Sequence, residues 1–306
     1  MRNKFADLIY KYSKKNKKIC VLVADISPAG SMTKFRDKYP ERFINTGVAE
    51  QSMVGISAGM ALKGMQPFCY TIATFAFYRP FEMIRVDLCY QNLPVTIVGM
   101  GTGTIYSTLG GTHLTQEDIS IARALPNLKI ISPSDPYELE KAMLFCIKNK
   151  KGPVYLRIGK AGEKTFNFKE SENWKFGKIR KIVDGKNFCF LTYGPIISKV
   201  FNLREKLKQK NLSSSIYSCH TIKPFDKLRI GKLFKKYKNI VVIEDNSEIS
   251  GLGLIVKALA YELKFGGKIL TYNVKDKFIH CYGTQDELLI KHGINFNNIY
   301  KDLLKI

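Results

Sequence analysis

Apolar residues at Phe5, Leu8, Ile9 and Tyr12 fall at helical spacing, so residues 2 to 14 are expected to form a helix with one buried face. An unbroken apolar run follows at Ile19-Cys-Val-Leu-Val-Ala24 and stops at Asp25, the pattern of a short strand covered on both faces. The alternation then continues. Phe43-Ile-Asn reads as a strand, and Glu50 opens a helix whose small residues Gly55, Ser57, Ala58, Gly59 and Ala61 permit close packing. Pro67-Phe-Cys-Tyr-Thr-Ile-Ala73 reads as the next strand. Thr74 then enters a helix expected to run through Tyr90, and Leu93-Pro-Val-Thr-Ile-Val-Gly99 is another buried strand.

Beyond it lies a Gly/Thr-rich loop, Met100 to Asp118, and then a strand, a helix capped by Asp135, and the strand Gly152-Pro-Val-Tyr-Leu-Arg157-Ile-Gly159. Residues 160 to 186 are polar and aperiodic, the signature of a linker with a short hairpin. Strand-like runs resume at Asn187 and recur at Ser215, Ile240 and Lys268 with helical patterns between them. Strands alternating with helices predict an α/β fold: two doubly wound domains with mainly parallel sheets. The expected boundaries are 1–160 for the first domain, 161–186 for the linker and 187–306 for the second.

A chain of 306 residues, 45% hydrophobic, is long enough for two cores of ordinary size. It contains no apolar run of membrane-spanning length, and Met1-Arg-Asn-Lys-Phe-Ala-Asp7 lacks the apolar core of a signal peptide. A soluble, cytoplasmic protein with no membrane partner is expected. The seven cysteines are scattered singly with no C-x-x-C pair, as buried hydrophobes in a reducing compartment would be, and suggest neither disulfides nor zinc. The net charge of +23 raises nucleic-acid binding as an alternative. Its lysines are dispersed, however, and the short clusters Lys14 to Lys18 and Lys232 to Lys238 match no recognised nucleic-acid motif, so solvated faces account for the charge better. No nucleic-acid partner is expected; part of this charge can attract phosphorylated substrates.

Three polar positions stand out locally. Glu50 sits where a loop runs into a helix, a place where an acid is commonly exposed and favoured by the helix dipole. Asp25 ends a parallel strand, where ligands of open α/β sheets gather; it equally suits a turn cap before Ser27-Pro28. His113 lies in the glycine-rich loop, which contains neither G-x-x-x-x-G-K-[ST] nor G-x-G-x-x-G.

Taken together, Phe43-Ile-Asn-Thr-Gly-Val-Ala-Glu50-Gln, the Gly/Ala-rich helix after it, Phe68-Cys-Tyr-Thr-Ile-Ala-Thr-Phe75 and Gly110-Gly-Thr-His113 closely resemble the pyrimidine-binding half of the transketolase family of thiamine-diphosphate enzymes. His220-Thr-Ile-Lys-Pro-Phe-Asp226 and Glu244-Asp-Asn-Ser-Glu-Ile-Ser-Gly-Leu-Gly253 resemble the family's C-terminal domain, so the likeness covers almost the whole chain. The resemblance implies that Glu50 contacts the aminopyrimidine of the cofactor from a mostly apolar pocket and favours its imino tautomer. It implies that Phe75 stacks on that ring, that Asp25 lies close by, and that His113 lines the substrate channel. Phe77 and Tyr78 are the expected core members of that aromatic run. Arg157 would bind substrate phosphate or carboxylate, although a strand-end arginine also commonly closes a salt bridge. Arg2 lies where some relatives place another phosphate-binding arginine.

Three positions depart from the family pattern. Leu109 stands where transketolases carry an Asp, Gly101 where a second channel His falls, and Asn246 where relatives commonly have His. The chain also lacks the Gly-Asp-Gly that marks the diphosphate and metal site; the nearest string, Asp184-Gly185-Lys-Asn187, reads as a turn. What the resemblance implies is the C-terminal subunit of a split enzyme. A separate N-terminal subunit would supply the diphosphate site and most ligands of Mg2+ (or Ca2+), in an α2β2 heterotetramer. The expected reaction moves a two-carbon ketol unit from a phosphorylated or activated ketose to an aldehyde, in the biosynthesis of an unusual sugar. The alternatives are a subunit like deoxyxylulose-phosphate synthase or the β-subunit of a 2-oxo acid dehydrogenase, and a non-catalytic assembly subunit.

Overall fold

Strands buried on both faces organise the N-terminal half. The structure, a computed structural model, describes residues 1–26 and 30–306. In chain order the first strands are β1 (Ile19–Val23), β2 (Phe43–Asn45), β3 (Gln66–Ile72), β4 (Thr96–Met100), β5 (Lys129–Ile131) and β6 (Val154–Ile158). Then come β7 (Arg180–Val183), β8 (Phe188–Thr192), β9 (Ser214–Ser218), β10 (Thr221–Lys223), β11 (Asn239–Ser247) and β12 (Lys268–Val274). Every residue of β1, β4 and β6 is buried, as the continuous apolar runs predict. Side chains alternate between two cores: Cys20 and Leu22 enter one, Ile19, Val21 and Val23 the other.

The strands form two sheets, ordered β10-β5-β6-β4-β3-β1-β2 and β12-β11-β8-β9-β7. Among the described residues, all strand pairings are parallel except β10 with β5 and β7 with β9. One core runs between the sheets, joining Cys20, Leu22 and Ile97 to Cys189, Leu191 and Val242. A further core on the far side of the second sheet holds Phe188, Phe190, Val241 and Ile243.

Two local expectations are corrected. Residues 180–183, assigned from sequence to a linker hairpin, form β7 and pair antiparallel with β9, burying Ile182 and Val183. The helix expected from Thr74 through Tyr90 is interrupted: a helix spans Ala73–Phe77, a single turn spans Phe81–Met83, and a π-helical segment spans Ile84–Tyr90. Pro80 lies at the break, where it has no backbone N–H to donate. The cysteines are free, and all but Cys281 are buried; burial pushes the Cys20 and Cys69 thiols up to about 12.

Candidate active site

Parallel strands β1, β2, β3 and β4 carry their functional segments past their carboxyl ends, the edge where α/β sheets collect ligands. At the end of β1, the Asp25 N–H donates to Asn45 Oδ1 at 3.0 Å, and the Gly47 N–H donates to the same oxygen at 3.0 Å. Asn45 thereby ties the exposed Asp25 to the loop leading into the Glu50 helix, which spans Glu50–Leu62. The turn requires left-handed backbone at Asp25 (φ 45°) and Gly47 (φ 68°). Ser27 and Pro28, the basis of the turn-cap reading of Asp25, lie outside the described residues.

Glu50 is 4% exposed, so the surface-acid reading fails. Its pocket contains a charged partner that the expectation of a mostly apolar one did not include: Arg79 Nη1 donates to Oε1 at 3.0 Å and Oε2 at 3.2 Å. A carboxylate taken out of water is tolerated when paired in this way. The Arg79 guanidinium carbon lies 4.3 Å from the centroid of the Phe75 ring. On the opposite side of the cluster, Phe75 meets the His113 imidazole edge to face, centroids 5.2 Å apart at 72°. His113 Nδ1 shares a 2.9 Å hydrogen bond with Thr112 Oγ1, and the ring also faces Tyr106 at 6.0 Å. Burial first, and then the positive charge of Arg79, lowers the His113 pKa below the usual 6.5. Glu50, Arg79, Phe75, His113 and Tyr106 thus form one continuous row. Phe77 is fully buried against Tyr155, while Tyr78 is half-buried and donates to Glu117 Oε2 at 2.8 Å.

Arg157 does not join that row. It is 2% exposed on β6, with Nε donating to Asp118 Oδ2 at 2.6 Å and Nη2 to Oδ1 at 3.0 Å. Tyr155 Oη adds a 2.7 Å bond to the same carboxylate, and Asn246 Nδ2 one at 3.0 Å. With Nε and Nη2 both committed to Asp118, Arg157 closes the buried salt bridge that was the other expectation for a strand-end arginine. Asn246, a departure from the family pattern, belongs to this interior network. Arg2 is half-buried, and its charge partly offsets the rise that burial gives the Tyr106 phenol. Its Nε is buried without a hydrogen-bond partner among the described residues.

Sequence reasoning missed Arg79 and Asp118. The only signal for Arg79 is a charged residue following the aromatic run; Asp118 shows as an acid in the first turn of the helix after the glycine loop. Among the described residues, no group of three or more His, Cys, Asp or Glu is placed to hold a metal, and no helix is long and apolar enough to cross a membrane.

A buried acid, an aromatic face and a histidine on the carboxyl edge of a doubly wound sheet are features of an α/β cofactor enzyme. Residues 1–162 match the pyrimidine-binding domain of transketolase and residues 177–299 match the transketolase C-terminal domain, so the chain belongs to the transketolase family. It is 34% identical, over 100% of its length and 95% of the relative's, to a Methanocaldococcus jannaschii protein named as a transketolase C-terminal section. It is 30% identical over 83% of its length to the 6-deoxy-6-sulfo-D-fructose transketolase subunit of a Clostridium species, covering 78% of that chain. The 1-deoxy-D-xylulose-5-phosphate synthase of Clostridium perfringens is 31% identical, and there the chain spans 48% of the relative's length. A solved structure of a split-gene transketolase, described as an inactive β4 tetramer, superposes with a TM-score of 0.86 at 27% identity, covering 99% of this chain and 96% of the other.

Proposed function

We propose that this chain is the C-terminal subunit of a split transketolase, moving a two-carbon ketol unit from a ketose to an aldehyde with thiamine diphosphate bound between it and a partner subunit. The observation that carries this reading is the burial of Glu50 at the strand edge, with one aromatic ring between its guanidinium partner and His113. The residues suit the pyrimidine end of the cofactor. A carboxylate can share a proton with a ring nitrogen, and a half-buried phenyl face can stack on a flat heterocycle. When bound, thiamine diphosphate supplies the nucleophilic carbon to which the ketol unit is transferred.

This chain's part is proton handling and orientation. Glu50 holds a proton at the pyrimidine nitrogen, Phe75 fixes the plane of the ring, and Asp25 borders the same pocket. His113, kept neutral by burial and by Arg79, accepts a hydrogen bond from a substrate hydroxyl. Arg2 is the remaining arginine for an anionic substrate group. The diphosphate and its divalent cation, Mg2+ or Ca2+, are assigned to the partner, in a cytoplasmic α2β2 assembly. That a related β chain alone is described as an inactive tetramer supports the need for a second chain. Leu109 and Gly101 in the loop beside His113, together with the sulfosugar activity named for a relative, favour an unusual sugar substrate.

Co-expression with a diphosphate-binding transketolase subunit, followed by a screen of ketose donors with thiamine diphosphate and Mg2+, tests the proposal. Ketol transfer that disappears in Glu50→Ala supports it. Turnover of pyruvate with release of CO2 would instead favour the deoxyxylulose-phosphate synthase type, and undiminished activity in Glu50→Ala would favour a non-catalytic subunit.

A further inference from the structure

The loop that carries His113 is tied at several points to residues of the C-terminal half. Gly103 and Thr115 close it into a lobe, their backbone amides exchanging hydrogen bonds of 3.1 and 2.9 Å. Both sides of that neck are then tied to β11 and to the segment that follows β12. On one side, Asp245 Oδ2 accepts from the Thr104 N–H at 2.8 Å and from Thr104 Oγ1 at 2.9 Å, and Gln285 Nε2 donates to Thr104 Oγ1 at 3.3 Å. On the other side, the Ser247 N–H donates to the Gln116 carbonyl at 2.8 Å, and the Gln116 amide meets His292 Nε2 at 2.9 Å. Gly103 (φ 69°) lies against Asp245 so closely that a side chain there would collide with the carboxylate. At the tip, Gly110 (φ 75°) lies under the Tyr282 ring; a Cβ there would come within 2.5 Å of ring carbon Cε1.

We propose that the C-terminal domain serves the reaction as a clamp. Asp245 at the neck and Tyr282 at the tip are positioning residues that hold the loop so that His113 faces Phe75. Among the described residues neither is hydrogen-bonded to the row of site residues; each acts through the loop. This deepens the proposed function, because it gives the second domain a part in ketose binding and rests on His113 meeting substrate. The glycines support it, since both positive-φ positions sit where a C-terminal side chain presses on the loop backbone. Tyr282 is 74% exposed, so its contact with Gly110 does little for the core and can be removed without opening one.

Hydrogen–deuterium exchange on the full chain, without partner or cofactor, reads the clamp directly. In Tyr282→Ala and in Asp245→Ala, amides of residues 104–113 are expected to exchange about tenfold faster, the equivalent of ~1.4 kcal/mol of lost restraint. Asp245→Asn keeps an acceptor for Thr104 and is expected to restore protection. If Asp245→Ala fails to fold, the surface variant Tyr282→Ala carries the test. In the reconstituted complex, Tyr282→Ala is expected to raise the KM for the ketose about fivefold with kcat changed less, the pattern of weakened substrate binding. Unchanged exchange in the variants that fold overturns the clamp whatever the activity. Faster exchange with an unchanged ketose KM sustains the clamp and overturns the role of His113 in substrate binding.

Discussion

Arg79 donates from a single nitrogen to both carboxylate oxygens of Glu50 while its guanidinium rests 4.3 Å from the centroid of the Phe75 ring. The pair is asymmetric: the acid is 4% exposed and the arginine side chain 48%. Water therefore screens the base, and the carboxylate depends on it more than it depends on the carboxylate. Arg79→Ala is expected to lower the unfolding free energy of the full chain by about 1–2 kcal/mol, chiefly by stranding a buried acceptor. Arg79→Ala in a Glu50→Gln background should cost much less, because the stranded charge is gone. Denaturant unfolding of the single and double variants reads the difference; equal losses in both backgrounds would show that the ion pair contributes nothing.

His113 titrates below 6.5 because it is partly buried and because Arg79 carries a positive charge nearby. A depressed histidine stays neutral further into acid, so the acidic limb of ketol transfer in the reconstituted complex is expected below pH 6.5. Arg79→Ala removes one of the two causes and should move that limb toward higher pH. A pH–kcat/KM profile that moves the other way, or not at all, would mean that His113 does not govern the limb.

Trp174 is the single tryptophan of the sequence, and its ring stacks on His220 with centroids 4.9 Å apart and planes at 25°. Burial, and then Arg180, lowers the His220 pKa from 6.5 to about 3. The folded chain therefore binds this proton less readily than the unfolded one. The stabilising contribution of a neutral His220 is intact above pH 6.5 and is lost as pH falls toward about 3. Trp174 fluorescence should show no step at pH 6.5. Unfolding free energies measured below that pH should fall by up to about 1.4 kcal/mol per pH unit more steeply than in His220→Asn. A fluorescence step at pH 6.5 in the folded chain would contradict the buried, neutral assignment.

The long, doubly covered strands were legible because burial on both faces writes an unbroken apolar run, as in Ile19–Val23. Glu50 was legible as the first residue of a helix after a short strand. Its partner was not, because Arg79 lies 29 positions away on a separate element, and local spacing reports only neighbours along one helix or strand. The same holds for Arg157, whose strand-end position was readable while its buried partner Asp118, 39 residues upstream, was not. β7 and β10 were hidden for another reason. Each is a short edge strand of mixed polarity, and its pairing is set by the sheet it joins rather than by its own sequence. The interruption at Pro80 was legible in principle, since proline lacks the donor an unbroken helix needs.

The antiparallel pairing of Thr221–Lys223 with Lys129–Ile131 means that the first sheet is completed by a segment from far downstream. Severing the chain near residue 176 would strip β5 of its outer neighbour and uncover a row of backbone donors and acceptors. The isolated front half is therefore expected to aggregate when expressed alone, and co-expression of the two fragments to restore a soluble species, read by gel filtration. Homology divides this polypeptide into two domains, yet mechanically it is welded across the seam.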